Sequence, residues 1–186
     1  LLKGSGGRAA MVPMPERRDA FMAAAEIALL VEKAALESSS QHTVGTIGVV
    51  EVKPGVIDGI PGAVKLEVDF RDTDREARER ALARIGDGTH AICRRRGVEI
   101  EWQVIRQDPP AQCEPGLVHL VEAKAVAAGC STLRMAGWVD HDSLFMARVC
   151  PATMIFIPSA GGCSSPMAVA RGVAVLAGCL RELSMV

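Results

Sequence analysis

Three places in this sequence hold residues whose types and spacing could do chemistry. Arg71 follows Asp69 by two positions in the run Asp69-Phe70-Arg71-Asp72, so both side chains leave the same face of a strand. A guanidinium there offers a planar fork of donors suited to a carboxylate or a ureido oxygen. The plainer reading is a strand-end arginine paired with Asp69 or Asp72. His141 stands between Asp140 and Asp142. An imidazole beside a carboxylate gains basicity and a fixed tautomer, which suits a metal ligand, a general base or a substrate contact. Three consecutive side chains on an extended loop diverge, however, and a lone histidine is usually not a ligand. Cys163 follows Gly161-Gly162 in a glycine- and serine-rich loop, where backbone amides could hold an oxyanion for a nucleophilic thiol. Nothing identifies an activating histidine for it, and a small inert thiol is the plainer reading. The two glycines are weak evidence for phosphate binding, because the Lys-Ser/Thr of a P-loop is missing. His42, His90 and His119 belong to no constellation.

The elements that must position these residues can be read from periodicity and punctuation. Pro13-Met14-Pro15-Glu16 leads into an alanine-rich apolar pattern, predicting a helix from near Pro15 to Leu36. Its Ala23 to Leu30 face reads as core or as part of a dimer surface. Thr43 to Val52 is β-branched and predicts a strand; Pro54-Gly55 and Pro61-Gly62 bracket a turn, and Ala63 to Phe70 form the next strand. Asp72-Thr73-Asp74 offers an N-cap for a long helix from Arg75 to Arg96, with Gly97 as its C-cap. Val98 to Ile105 alternates as a half-buried antiparallel strand. With a short strand over Arg8 to Val12, the order spells an α+β fold, a ferredoxin-like βαββαβ sandwich. Asp108-Pro109-Pro110 breaks the pattern and marks a domain boundary. Beyond it come a helix from Glu114 to Ala128, an apolar strand at Thr153 to Ile157, and a helix from Met167 to Leu183. That is an α/β segment with too few strands to make a sheet by itself.

The composition bounds the function classes. The 186 residues suffice for one domain or two small ones, and 49% hydrophobic with 23% charged residues is ordinary for a globular chain. A formal net charge of −1 gives no electrostatic case for nucleic acid or an anionic membrane. Arg94-Arg95-Arg96 closes a helix, where cations suit the negative end of the dipole. No apolar run reaches the roughly 18 residues needed to span a bilayer. Six scattered cysteines without a Cys-x-x-Cys pair argue for reduced thiols and a cytoplasmic protein. The first residues lack a signal-peptide pattern and an initiator Met, so the chain reads as processed or as part of a longer one.

Several motifs in order resemble a known family. They are Pro13-Met14-Pro15-Glu16-Arg17-Arg18-Asp19-Ala20, Thr43 to Gly48, Ile60-Pro61-Gly62 through Asp72, His141-Asp142-Ser143, Phe145 to Pro151, and Met154 to Ser159 with Gly161-Gly162. Together they are similar to the M20 metallopeptidase superfamily, in its hydantoinase/carbamoylase branch of N-carbamoyl-amino-acid hydrolases, allantoate amidohydrolases and β-ureidopropionases. The resemblance implies that residues 8–110 are a ferredoxin-like lid that also makes a homodimer. Residues 111–186 are then the C-terminal, incomplete segment of an α/β catalytic domain.

The implied chemistry is attack of a metal-activated water on a carbamoyl or amide carbonyl of an amino-acid-like ureido acid. The implied substrate-binding set is Arg71, His141, Asp142, Asp58, Gly161 and Gly162, with no catalytic or metal-binding residue assigned. The family's divalent metal, zinc or manganese, finds most of its ligands in a segment this chain lacks, so the chain is expected to hold none and to be inactive alone. Three positions depart from the family pattern. Arg8 stands where a histidine is usual, Asp58 where an asparagine contacts the substrate carboxylate, and Cys163-Ser164-Ser165-Pro166 where Ser-His-Ser-Pro supplies a metal ligand. A carboxylate at 58 would repel the substrate's own. The alternatives are a non-catalytic dimerisation or binding module derived from the family, and a cysteine hydrolase at Cys163.

Overall fold

In a computed structural model, which describes residues 1–138 and 141–185, the chain forms two compact units, Leu1–Pro109 and Pro110–Val186. Six strands lie in the first unit: β1 (Leu2–Lys3), β2 (Gly7–Arg8), β3 (Val44–Lys53), β4 (Gly59–Ile60), β5 (Ala63–Arg71) and β6 (Glu99–Ile100). Four of them make an antiparallel sheet in the order β3-β5-β1-β6, while β2 pairs with β4 in a separate two-stranded ladder. Numbered among themselves, the four run second-third-first-fourth across the sheet. With one helix after the first strand and one before the last, that is the ferredoxin-like arrangement.

Helix α1 (Ala20–Leu36) starts later than the proline-rich segment suggests. Met14–Glu16 make only a 3-10 turn, and the chain then runs extended to Asp19. There the Asp19 carboxylate accepts the N–H groups of Phe21 and Met22, which sets the true start. Ala20, Ala23, Ala24, Ile27, Val31 and Ala34 are its buried residues, spaced three and four apart so that they share one helix face. Helix α2 (Arg75–Arg96) begins under the Asp74 carboxylate, which accepts Ala77 N–H at 3.1 Å, and ends at Gly97 with φ +64°. Ile85 and Cys93 of α2 join Val31, Val64 and the α1 alanines in the core of this unit. Arg95 and Arg96 of the last turn both pair with Glu26 of α1, tying the helices together outside the core. Arg96 foremost holds that carboxyl below the usual range.

Two strand expectations change here. The first sheet strand is Leu2–Lys3 and not Arg8 to Val12; Arg8 ends β2, and Ala9–Met11 form a 3-10 turn. Val98 to Ile105 alternates throughout; within it Glu99–Ile100 form the strand that pairs with β1, and Glu101 N–H donates to the Leu1 carbonyl at 2.8 Å. Trp102, Val104 and Ile105 are exposed.

The second unit holds helices α3 (Pro115–Ala127), α4 (Ser143–Met146) and α5 (Pro166–Leu183). Glu114 caps α3 by accepting Leu117 N–H at 2.6 Å, and Ser165 caps α5 by accepting Ala168 N–H at 3.1 Å. The extended run from Thr153 to Ile157 joins no ladder among the described residues. No helix there or elsewhere among the described residues is long and apolar enough to cross a membrane.

Candidate functional site

Arg71 sits at the last position of β5, opposite Val44 of β3. Its Nε–H donates to Asp69 Oδ2 at 2.7 Å, and its side chain is 38% exposed. The ion-pair reading of this arginine is therefore realised, and the carboxylate two residues back aims the guanidinium.

Just beyond, Asp72 is buried and collects donors from three directions. Ser40 Oγ donates to it at 2.8 Å, Thr43 Oγ1 to its other oxygen, and Asp74 N–H at 2.8 Å. Burial alone would raise this carboxyl, but the Asp74 amide and the Thr43 and Ser40 hydroxyls outweigh it and hold the group below the ordinary aspartate range. The end of β5 is thereby fixed to the loop that precedes β3. Of the run Asp72-Thr73-Asp74 that offered the N-cap of α2, Asp74 supplies it.

Asp58 lies at the other end of the sheet, in the turn between β3 and β4. The nine-residue β5 separates that end from Arg71, about 26 Å at roughly 3.3 Å per residue. Within this unit the two predicted substrate contacts are therefore not brought together. Asp58 instead neighbours Arg8: their side chains approach to 4.0 Å, and Ala9 N–H donates to the Asp58 carbonyl at 2.8 Å. Two positions that depart from the pattern the resemblance implies, Arg8 and Asp58, thus face each other as cation and carboxylate. Fifty residues separate them in sequence, and only the pairing of Arg8 with Gly59 across β2 and β4 makes them neighbours.

In the second unit His141 is half-buried, its ring edge-on to Phe156 with centroids 5.8 Å apart. Asp142 begins α4 without capping it, and its carboxylate is not among the donors or acceptors at that helix start. Asp140, the other flanking acid, lies outside the described residues. Gly161 and Gly162 take φ of +58° and +82° inside a turn closed by Ala160 N–H to Cys163 O at 2.9 Å and Cys163 N–H to Ala160 O at 3.1 Å. Positive φ at both central positions is what a tight hairpin turn of this kind demands, so backbone geometry accounts for this glycine pair. Cys163 is exposed on that turn. Among the described residues, no three His, Cys, Asp or Glu side chains converge to hold a metal ion.

No protein-family model matches the chain. Individual proteins do. It is 42% identical over 191 residues to ureidoglycolate hydrolase of Arabidopsis thaliana, covering 98% of this chain and 40% of that protein. The crystal structure of AtUAH in complex with glyoxylate superposes with a TM-score of 0.92 at 41% identity, covering 100% of this chain and 46% of that one. An amidase of the hydantoinase/carbamoylase family from Burkholderia multivorans superposes with a TM-score of 0.90 at 28% identity, covering 96% and 45%. A ferredoxin-like unit followed by a partial α/β unit is thus the architecture of a stretch of an amidase. The chain is homologous to ureidoglycolate hydrolase and matches amidases of the hydantoinase/carbamoylase family in structure, and it spans less than half the length of these relatives.

Proposed function

We propose that the chain is part of an M20-type amidohydrolase that cleaves a C–N bond of a small ureido or carbamoyl acid. The observation that supports this most is the likeness, over the whole chain, to a structure holding glyoxylate, a small acid whose carboxylate suits an arginine fork. In this reading Arg71 binds a substrate carboxylate, its guanidinium oriented by Asp69 on a rigid strand. The His141–Asp142 corner lines a pocket wall within the second unit, with Phe156 setting the imidazole plane. Arg8 offsets the charge of Asp58, so that a carboxylate at this position no longer repels an anionic substrate. The 186 residues alone are inactive, and turnover requires the further polypeptide by which the relatives exceed this chain in length.

Two measurements test the reading. The chain is incubated with ureidoglycolate and, separately, with N-carbamoyl amino acids in the presence of zinc or manganese, and ammonia release is followed. Release at the blank rate is expected; turnover would end the claim of inactivity. Glyoxylate is then titrated into the chain by NMR, with saturable binding expected. No binding, or equal binding by Arg71→Ala, would remove Arg71 from its role.

We further propose that two copies associate through the first unit. β3 is the outermost strand of its sheet and offers a ten-residue edge. Such an edge pairs readily with a second copy. Static light scattering of the chain, expected to give twice the monomer mass, tests this directly; a monomer at all concentrations would refute it.

A further inference from the structure

Helix α4 is four residues long, too short to hold its own shape, since the first turn of a helix costs more than it returns. Asp142, which precedes it, is exposed and gives it no side-chain cap. The His141 carbonyl accepts Leu144 N–H at 2.9 Å, so whatever fixes α4 fixes the His141 backbone as well. Contacts able to do this come from Met154-Ile155-Phe156-Ile157, four apolar residues whose types alone do not distinguish their tasks. Ile155 packs against the Ala125, Val175 and Cys179 cluster. Ile157 lies so close to α5 that a Cβ on Gly172 would stand 2.6 Å from its Cγ2. Met154 and Phe156 instead meet the segment 137–143 at three points. A Cβ on Gly137 would stand 3.1 Å from Met154 Cε and 3.3 Å from Phe156 Cζ, so the missing side chain lets the segment come close. The Phe156 ring meets His141 edge-on, and Ser143 Oγ donates to Met154 Sδ at 2.8 Å.

A thioether is a weak acceptor, so the Ser143 bond contributes direction more than strength. A serine hydroxyl near a helix start ordinarily turns to a nearby backbone group, whereas this one reaches across to another segment. We propose that Met154 is a positioning residue for the His141–Asp142 corner: its sulfur accepts the Ser143 hydroxyl, fixes the start of α4, and so holds the His141 ring against Phe156. A leucine would fill nearly the same volume but offers the hydroxyl no acceptor, so the position requires the sulfur and not only the bulk. For its bearing on the reaction the inference rests on the proposed reading of this corner as a pocket wall. The arrangement itself is measured without ligand.

The test is NMR of the full 186-residue chain. Of its four histidines, His141 is identified by the ring signals lost in His141→Gln. The displacement that the Phe156 ring imposes on those signals is read by comparison with Phe156→Leu. Met154→Leu and Ser143→Ala should each lose most of that displacement with circular dichroism unchanged, while Ser143→Thr, which keeps the hydroxyl, should retain it. The double variant of Met154→Leu with Ser143→Ala should lose no more than either single one, because both remove the same bond. Unchanged His141 signals in Met154→Leu, or losses that add in the double variant, would overturn the proposal. If Met154→Leu does not fold, Ser143→Ala and Ser143→Thr decide: unchanged signals in the first, or loss in both, overturns it equally. Failure of glyoxylate to bind would sink only the substrate reading, whereas unchanged His141 signals would sink this inference and leave that reading standing.

Discussion

At the scale of single residues, the proposed site rests on Arg71. An arginine that meets a carboxylate with two N–H groups contributes charge-assisted hydrogen bonds of about 1.5–3 kcal/mol, or roughly ten- to a hundredfold in affinity. Arg71→Ala should therefore weaken glyoxylate binding by that factor, and Arg71→Lys should recover only part of it, because an ammonium lacks the fork. Asp69→Asn should weaken binding less than Arg71→Ala, since in the proposed site Asp69 only orients the guanidinium. An Asp69 variant that binds like the parent would show that this ion pair positions nothing. The Arg8–Asp58 pair belongs to a different regime. Both side chains are mostly exposed, at 80% and 67%, so their attraction is screened by water and worth at most about 1 kcal/mol to the fold. Its consequence is local charge balance, not stability.

At the scale of elements, Asp72 makes the clearest pH prediction. Its carboxyl is lowered in the folded chain, so the stabilisation exists above the ordinary aspartate value of about 3.9 and is lost as pH falls through the lowered one. Asp72→Asn should cost about 1–3 kcal/mol at pH 7, from leaving buried donors poorly matched. In urea titrations the gap from the parent should shrink on acidification below about pH 4; a gap that stays constant down to pH 2 would refute the assignment. Ile85, 1% exposed between α2 and the sheet, should cost about 2–5 kcal/mol on replacement by Ala, measured in the same way. Legibility in the sequence followed the strength of local signals. Helix α2 was readable to the residue because its cap and its terminal glycine are both local. The first sheet strand escaped because two residues carry no period, and Leu2–Lys3 are held by Val64 and Ile100, far away in sequence. The candidate site was legible at Arg71 and Asp69, whose spacing is local. It was illegible at Arg8 and Asp58, which meet only through a two-residue ladder, and at Asp72, whose donors come from an earlier loop.

At the scale of the whole molecule, the two units differ in how much core they own. Among the described residues, eleven buried ones form the main cluster of the first, against three in that of the second. Residues 1–109 expressed alone should therefore unfold in a cooperative urea transition, while residues 110–186 alone should lose structure gradually; circular dichroism decides between this and the reverse. Replacing Val44 and Val50 by Lys on the edge strand should convert the expected dimer to monomer in light scattering without changing the spectrum, since both residues are exposed and charge on an edge blocks further pairing.

The two-residue strand β1 makes the first unit unequally sensitive to substitution. Leu2 and Lys3 lie between β5 and β6, so the seam of the sheet rests on two residues. A proline in place of Leu2 would strip β6 of its ladder partner and take Leu2 from the core, so a change at this position should cost far more than the same change in a surface loop.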